Sequence, residues 1–229
     1  MLFATVLMLS ACGITDVTSQ TIGYGSRVEI GTVAENNGDL YVRLTNNAVS
    51  IQTHDGEEIR VEYSPPTRGR YVVPNMQFDT QTNRIEITES SNIHRRRDYR
   101  SGIVYIYLPQ DIGTDRNMIF NSAAGVVRII GNDGRMAASI NVSNMAGVTE
   151  LRNFSADDIS VSSMAGAINA NELSIDNIEL RTTSGVIALR NSAISGNLTA
   201  RTIVGVVTLN NVDTDMSRAD VSLLTGVSR

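Results

Sequence analysis

The sequence predicts an all-β protein: a single-stranded parallel β-solenoid, in its right-handed β-helix form, with coils of about twenty residues behind an irregular β-rich N-terminal region. Three observations predict it. A small polar or apolar pair followed by Gly and a Val or Ala recurs at Gly125, Gly147, Gly166, Gly185, Gly205 and Gly226, spaced 22, 19, 19, 20 and 21 residues apart. Both sides of each glycine alternate apolar and polar residues with period two, the mark of a strand with one buried face. Val, Ile, Thr, Ser, Asn and Gly dominate the composition, and no segment carries helical periodicity.

Each coil follows from those anchors. Seven residues before the glycines stand Met118, Ile140, Ile159, Ile178, Leu198 and Ala219; five before stand Phe120, Val142, Val161, Leu180, Ala200 and Val221. After the glycine the alternation resumes, as at Val127 and Ile129, Ile187 and Leu189, Val207 and Leu209. A polar turn with one late apolar residue (Phe154, Leu173, Ile194, Val212) completes the unit. No such unit buries its apolar face alone, but stacking turns each apolar position into a column. The glycine then serves as a corner, where a Cβ would crowd the neighbouring coil. The inward polar positions three before the glycines, Ser122, Asn144, Ser163, Thr182 and Thr202, form a ladder at that corner which breaks at Leu223. The opposing architecture, a sandwich of hairpins, does not supply a twenty-residue period.

The front half reads as strands over Arg27–Thr32, Leu40–Leu44, Ala48–Thr53, Glu58–Tyr63, Arg84–Glu89 and Ile103–Leu108. Asp55-Gly56 predicts a hairpin turn, Asn36-Asn37-Gly38-Asp39 another turn, and SPPTRGR and TESSNIHRRRDYRSG predict loops. The expected organisation is a signal peptide over 1–11, a tether over 12–24, the β-rich region over 25–110 and the repeats over 111–229.

The first twelve residues, MLFATVLMLSAC, stand apart from the fold. Leu2 to Leu9 is an apolar run too short to span a bilayer, and it ends in Leu9-Ser10-Ala11-Cys12, which resembles a bacterial lipobox. Such a site implies acylation of Cys12, export, and anchoring to a membrane at the periplasmic face or the cell surface. No Lys or Arg precedes the run, the one departure from the pattern, and Gly13 is not the aspartate that marks inner-membrane retention. A single cysteine leaves no internal disulfide to form.

The 229-residue chain has no Trp, and all nineteen positive charges are Arg; its net charge of −5 argues against a nucleic-acid partner. His54 and His94 have no His or Cys at ligand spacing, so neither a zinc site nor a cofactor is expected, and His54 beside its turn reads as a solvated side chain. Asp157 and Asp176 each lie ten residues after a coil glycine and are expected to stack about 5 Å apart. Such a pair suits Ca²⁺ or acid-and-nucleophile glycoside cleavage, but turn aspartates capping backbone N–H groups are the simpler and preferred reading. Arg95, Arg96, Arg97, Tyr99 and Arg100 in IHRRRDYR could dock phosphate, anionic glycan or lipid headgroups, or be a solvated basic loop. Arg181 and Arg201 share an outward column, where Glu179 and Asp220 offer ion-pair partners.

IVYIYLPQDIGTDRNMIFNSAAGVVRI, with its order of strand, aliphatic-Pro, polar spacer, strand, Ser-rich Gly and strand, resembles the start of the coil region in a family of bacterial envelope proteins. These are grouped as candidate adhesins and otherwise filed as a domain of unknown function. The similarity spans roughly residues 25 to 229. It implies a β-solenoid, export, frequent membrane anchoring and a role in adhesion or envelope signalling, with no catalytic residues to carry over. The expected function is therefore a non-enzymatic, adhesin-like binding or scaffolding lipoprotein of the cell envelope. Its partners would be envelope or host glycan or protein, and the open last coil would be covered either by a C-terminal strand folded back on it or by end-to-end copies of the protein. The alternatives are a carbohydrate-active or calcium-dependent glycan-binding solenoid using Asp157 and Asp176, and an envelope-stress signalling accessory.

Overall fold

In the computed structural model, residues 27–34, 38–67, 69, 71–89, 100–110 and 115–228 are described. They form eleven strands, β1 (Val28–Ala34), β2 (Asp39–Leu44), β3 (Ala48–His54), β4 (Glu58–Ser64), β5 (Asn75–Asp79), β6 (Arg84–Thr88), β7 (Ile103–Pro109), β8 (Asn117–Ile130), β9 (Arg135–Ile194), β10 (Leu198–Thr214) and β11 (Ala219–Ser228). One short 3-10 turn, Met216–Arg218, interrupts them near the end.

The repeats stack in parallel, each coil lying on its successor in matching register. Met118 pairs with Ile140 and Gly125 with Gly147 between β8 and β9. Ile178 pairs with Leu198 and Gly185 with Gly205 between β9 and β10, and Gly205 with Gly226 between β10 and β11. The inward columns are closed to solvent: Ile140, Ile159, Ile178 and Leu198 are at most 2% exposed, and Val142, Val161, Leu180 and Ala200 are at 0%. Burying each larger member of these columns stabilises the stack by about 1.5–3 kcal/mol. A parallel ladder of this kind rules out the hairpin sandwich for the repeats, because hairpins pair antiparallel.

Two corners shape each coil. At the first, the glycines from Gly125 to Gly205 take φ between +130° and +155°. At Gly166 an added Cβ would lie 1.8 Å from the carbonyl oxygen of Gly147 on the coil before it, so only hydrogen fits. At the second, six residues on, Asn153, Glu172, Asn191 and Asn211 adopt left-handed backbone with φ of 61°, 56°, 47° and 53°. Asparagine tolerates that conformation; Glu172 is the residue type that does not suit it. Its carboxylate lies 3.3 Å from Arg152 Nε on the preceding coil.

The expected polar turn after the second corner is instead a third paired strand. Val212 registers with Ser192, Asp213 with Ala193 and Thr214 with Ile194. Phe154, Ala156, Leu173, Ile175 and Ile194 all point inward at 4% exposure or less. The left-handed residue makes the bend, which frees the residues after it to extend and pair.

The front half continues the stack in an order the chain does not follow. β2 and β3 lie on β8, with Leu40 over Met118 and Val49 over Val127. β6 and β7 lie on β2 and β3 from the other side. The later pair thus stacks outside the earlier one, and β8 returns beneath it. Antiparallel strands close this end: β5 on β6, β4 on β7 and β1 on β4. The hairpin expected at Asp55-Gly56 is not formed as a pair, because β7 lies between β3 and β4. The tight turn nevertheless holds. His54 Nδ1 accepts the Gly56 N–H at 3.1 Å, and the Nε2–H donates to the Glu58 carbonyl at 2.8 Å.

Buried polar groups fasten the front half to itself. Asn47, 1% exposed, accepts the Gly102 N–H at 2.6 Å and the Tyr63 hydroxyl at 3.3 Å. Glu89 accepts the Thr45 and Asn46 N–H groups at 2.8 and 3.2 Å, capping the corner above Gly125. Arg116 is fully buried; desolvation pushes its guanidinium pKa down to about 10, opposed by Asp39, and it stays cationic at neutral pH.

Candidate functional site

The same ten-residue offset that picks out Asp157 and Asp176 also picks out Arg135, Ser195 and Asp215 on their own coils. The third strand of each coil, or the residue just past its end at Ser195 and Asp215, carries these residues outward, with Ser155, Ser174 and Asp213 two positions earlier. They line one open groove of about 530 Å³, floored by Ala156, Ile175, Ile194 and Thr214. Its size falls within the range of small-ligand clefts.

The charges in the groove are unevenly balanced. Arg135 Nη2 lies 2.6 Å from Asp157 Oδ2. Ser195 Oγ donates to Asp176 Oδ1 at 2.5 Å, one coil apart. Asp215 accepts the Ser217 N–H at 3.0 Å and the Ser217 hydroxyl at 2.8 Å. These bonds, backbone first, hold its carboxyl below the usual range, with Arg218 helping slightly. Asp213 is exposed on the same wall. Four carboxylates thus face the groove against Arg135 within it, and Arg218 at 3.8 Å from Asp215 on its rim. Among the described residues, no group of three His, Cys, Asp or Glu side chains is placed to hold a metal ion. What the stack brings to Asp157 and Asp176 is an arginine and a serine hydroxyl.

Beside the groove runs an amide ladder. Asn177 Oδ1 accepts the Asn197 N–H and side-chain amide at 3.0 Å each, and Asn177 Nδ2 donates to Asp158 at 2.9 Å. At the second corner, Asn211 donates to Asn191 and Asn191 to Asn171, both at 3.0 Å. Ion pairs lie on other outward positions of the coils. Arg128 meets Glu150 at 2.7 Å, Arg181 pairs with Glu179, and Arg201 pairs with Asp220. The Arg181 and Arg201 column is therefore internally balanced and presents no free anion stripe.

Of the basic loop, Arg100 is exposed, while Arg95, Arg96, Arg97 and Tyr99 lie outside the described residues, as do Cys12, the lipobox and His94. The glycine spacing contained the signal for Arg135 and Asp215. Ser155, Ser174 and Asp213 become visible only once the third strand is known to extend.

A profile of the family described as Toastrack DUF4097 matches residues 37–220. The chain belongs to the Toastrack family. The match takes in the parallel layers of the front half as well as the repeats, and this Toastrack fold is all-β and solenoid-like. Among solved structures, a candidate cell adhesion protein from Clostridium sporogenes is similar at 12% identity, covering 81% of this chain and 99% of its own, with a TM-score of 0.45. A candidate lipid-binding protein from Parabacteroides distasonis is similar at 10% identity, covering 90% and 97%, with a TM-score of 0.37. No curated protein matches the chain.

Proposed function

We propose that the protein is a non-enzymatic, adhesin-like binding and scaffolding module of the bacterial cell envelope, tethered through a lipid on Cys12. The observation that carries the reading is the groove. Stacking sets acidic and hydroxyl groups at a repeat of about 4.8 Å along the rod, from Asp157 through Asp176 and Ser195 to Asp215. A linear array of that kind suits an extended partner whose own hydroxyl or amino groups recur, with affinity spread over many weak contacts. Carboxylates accept charge-assisted hydrogen bonds from such donors, each about twice as strong as a neutral one. The tether rests on the lipobox-like Leu9-Ser10-Ala11-Cys12. Among the described residues no helix is long and apolar enough to cross a membrane.

The test is retention of fractionated envelope polymers and host matrix glycans on the immobilised protein. Replacing Asp176, Asp213 and Asp215 together by Asn should weaken capture at least tenfold without lowering Tm by more than a few degrees. Undiminished capture would overturn the groove as the binding surface. Cys12→Ala should move the protein from the membrane pellet to the soluble fraction, and continued sedimentation would sink the anchor.

A further inference from the structure

Inside the glycine corner the side chains three before each glycine stack on one another. Ser122 registers with Asn144, and Thr182 with Thr202. Asn144, Ser163, Thr182 and Thr202 are 3–5% exposed, and Thr149, which follows Gly147, is 1% exposed. At the head of the column the polar groups are served locally. Ser122 Oγ donates to the Ala124 carbonyl at 3.3 Å, and Asn144 Oδ1 accepts the Ala146 N–H at 3.2 Å. Further along, Asn144 Nδ2, Thr149 Oγ1, Ser163 Oγ, Thr182 Oγ1 and Thr202 Oγ1 have no hydrogen-bond partner among the described residues.

Five such atoms left dry would each carry the penalty of an unmade buried hydrogen bond, a total rivalling a domain's net stability. The stacked hydroxyls make no direct bond to one another, and in matching rotamers they sit one coil repeat of about 4.8 Å apart, beyond the roughly 2.8 Å of an O–H···O bond. The same repeat fits one intervening molecule. Two bonds of about 2.8 Å spanning about 4.8 Å meet at an angle near 118°, close to tetrahedral. The bridging molecule must be as small as water and must both donate and accept. Side chains of Ser and Thr size leave more space at this position than the Ile and Leu of the neighbouring inward columns.

We propose that the glycine corner is a binding site for a file of internal water molecules, one between successive coils from Asn144 to Thr202. The waters complete the hydrogen bonds of the column and lock neighbouring coils in register at the corner where the backbone has no side chain to interlock. Residues on the dry side of the coil, such as Leu180 and Leu189, pack without them.

The experiment uses the full chain with labelled threonine methyls, and water itself is the probe. Thr182 and Thr202 methyls should show cross-relaxation with long-lived water, as surface methyls do not. Thr182→Val with Thr202→Val preserves shape and removes two hydroxyl anchors. Read through the amides that neighbour positions 182 and 202, it should lose the long-lived water signal and lower Tm by roughly 4–8 °C, whereas the pair of Ser substitutions, which keeps both hydroxyls, should retain that signal. Absence of long-lived water in the native chain, or a Val pair that melts higher than native, would overturn the proposal, since a dry column gains by losing unsatisfied hydroxyls.

Discussion

Substituting Gly166 by Ala tests the stack at its tightest point. The added methyl would sit 1.8 Å from the Gly147 carbonyl oxygen, where side-chain Cβ atoms essentially never come closer than 3.0 Å. The two coils must therefore separate locally by at least about 1.2 Å, which stretches ladder bonds of about 2.9 Å beyond bonding range. Losing two or three such bonds costs about 2–4 kcal/mol. Holding alanine at φ of +140° adds about 1–2 kcal/mol. The total of about 3–6 kcal/mol is a large share of a domain's net stability. Gly125 supplies the control: its φ is +130°, but an added Cβ lies 3.3 Å from the nearest atom, the Asn47 carbonyl oxygen. Gly125→Ala should cost only the backbone part. Urea unfolding followed by circular dichroism measures both. A Gly166→Ala loss within 1 kcal/mol of the Gly125→Ala loss would refute the close approach as the reason for glycine.

Two further outcomes are expected. Asn47→Ala leaves the buried Gly102 N–H without its acceptor and should cost about 2–3 kcal/mol, against about 1 kcal/mol for Tyr63→Phe, and equal losses would show that the Gly102 bond is not the important one. The Asp215 carboxyl, lowered chiefly by the Ser217 N–H, should titrate below 3.8. A depressed acid contributes stability above its unfolded pKa and loses it as pH falls through the folded one. The turn at Met216–Arg218 should accordingly loosen below about pH 4, and a carboxyl chemical-shift midpoint at or above 3.8 would contradict the bonding described.

The six front-half strands read from alternation all reappear, with bounds shifted by a residue or two, because each buries one face and its pattern is local. β5, Asn75–Asp79, escaped that reading because its alternation in NMQFD is only five residues long, and the strand pairs only with β6 and buries little. Asp55-Gly56 signals a reversal of direction and delivers one, but turn chemistry does not say whether the two strands it joins will touch. β7 enters between them from some fifty residues away. In the candidate groove, Asp157 and Asp176 were legible from their shared offset. Asp213 was not, because a stretch rich in Asp, Asn and Ser looks like a turn until the left-handed Asn211 is known to take up the bend.

The spacing of the glycine corners and the inward columns are written in the sequence alone. Those depend on one residue at a time: a side chain that must be buried, or a Cβ that must be missing, leaves its mark at its own position, and repetition multiplies the mark. Only the tertiary structure decided that β2 and β3 lie between β8 and the later strands β6 and β7. It alone brought Arg135, Asp157, Asp176, Asp213 and Asp215 to one groove. Parallel pairing joins backbone to backbone, and backbone N–H and C=O groups are the same in every residue. The choice among distant strands is therefore made by how the whole set of buried faces closes, and no local pattern records it.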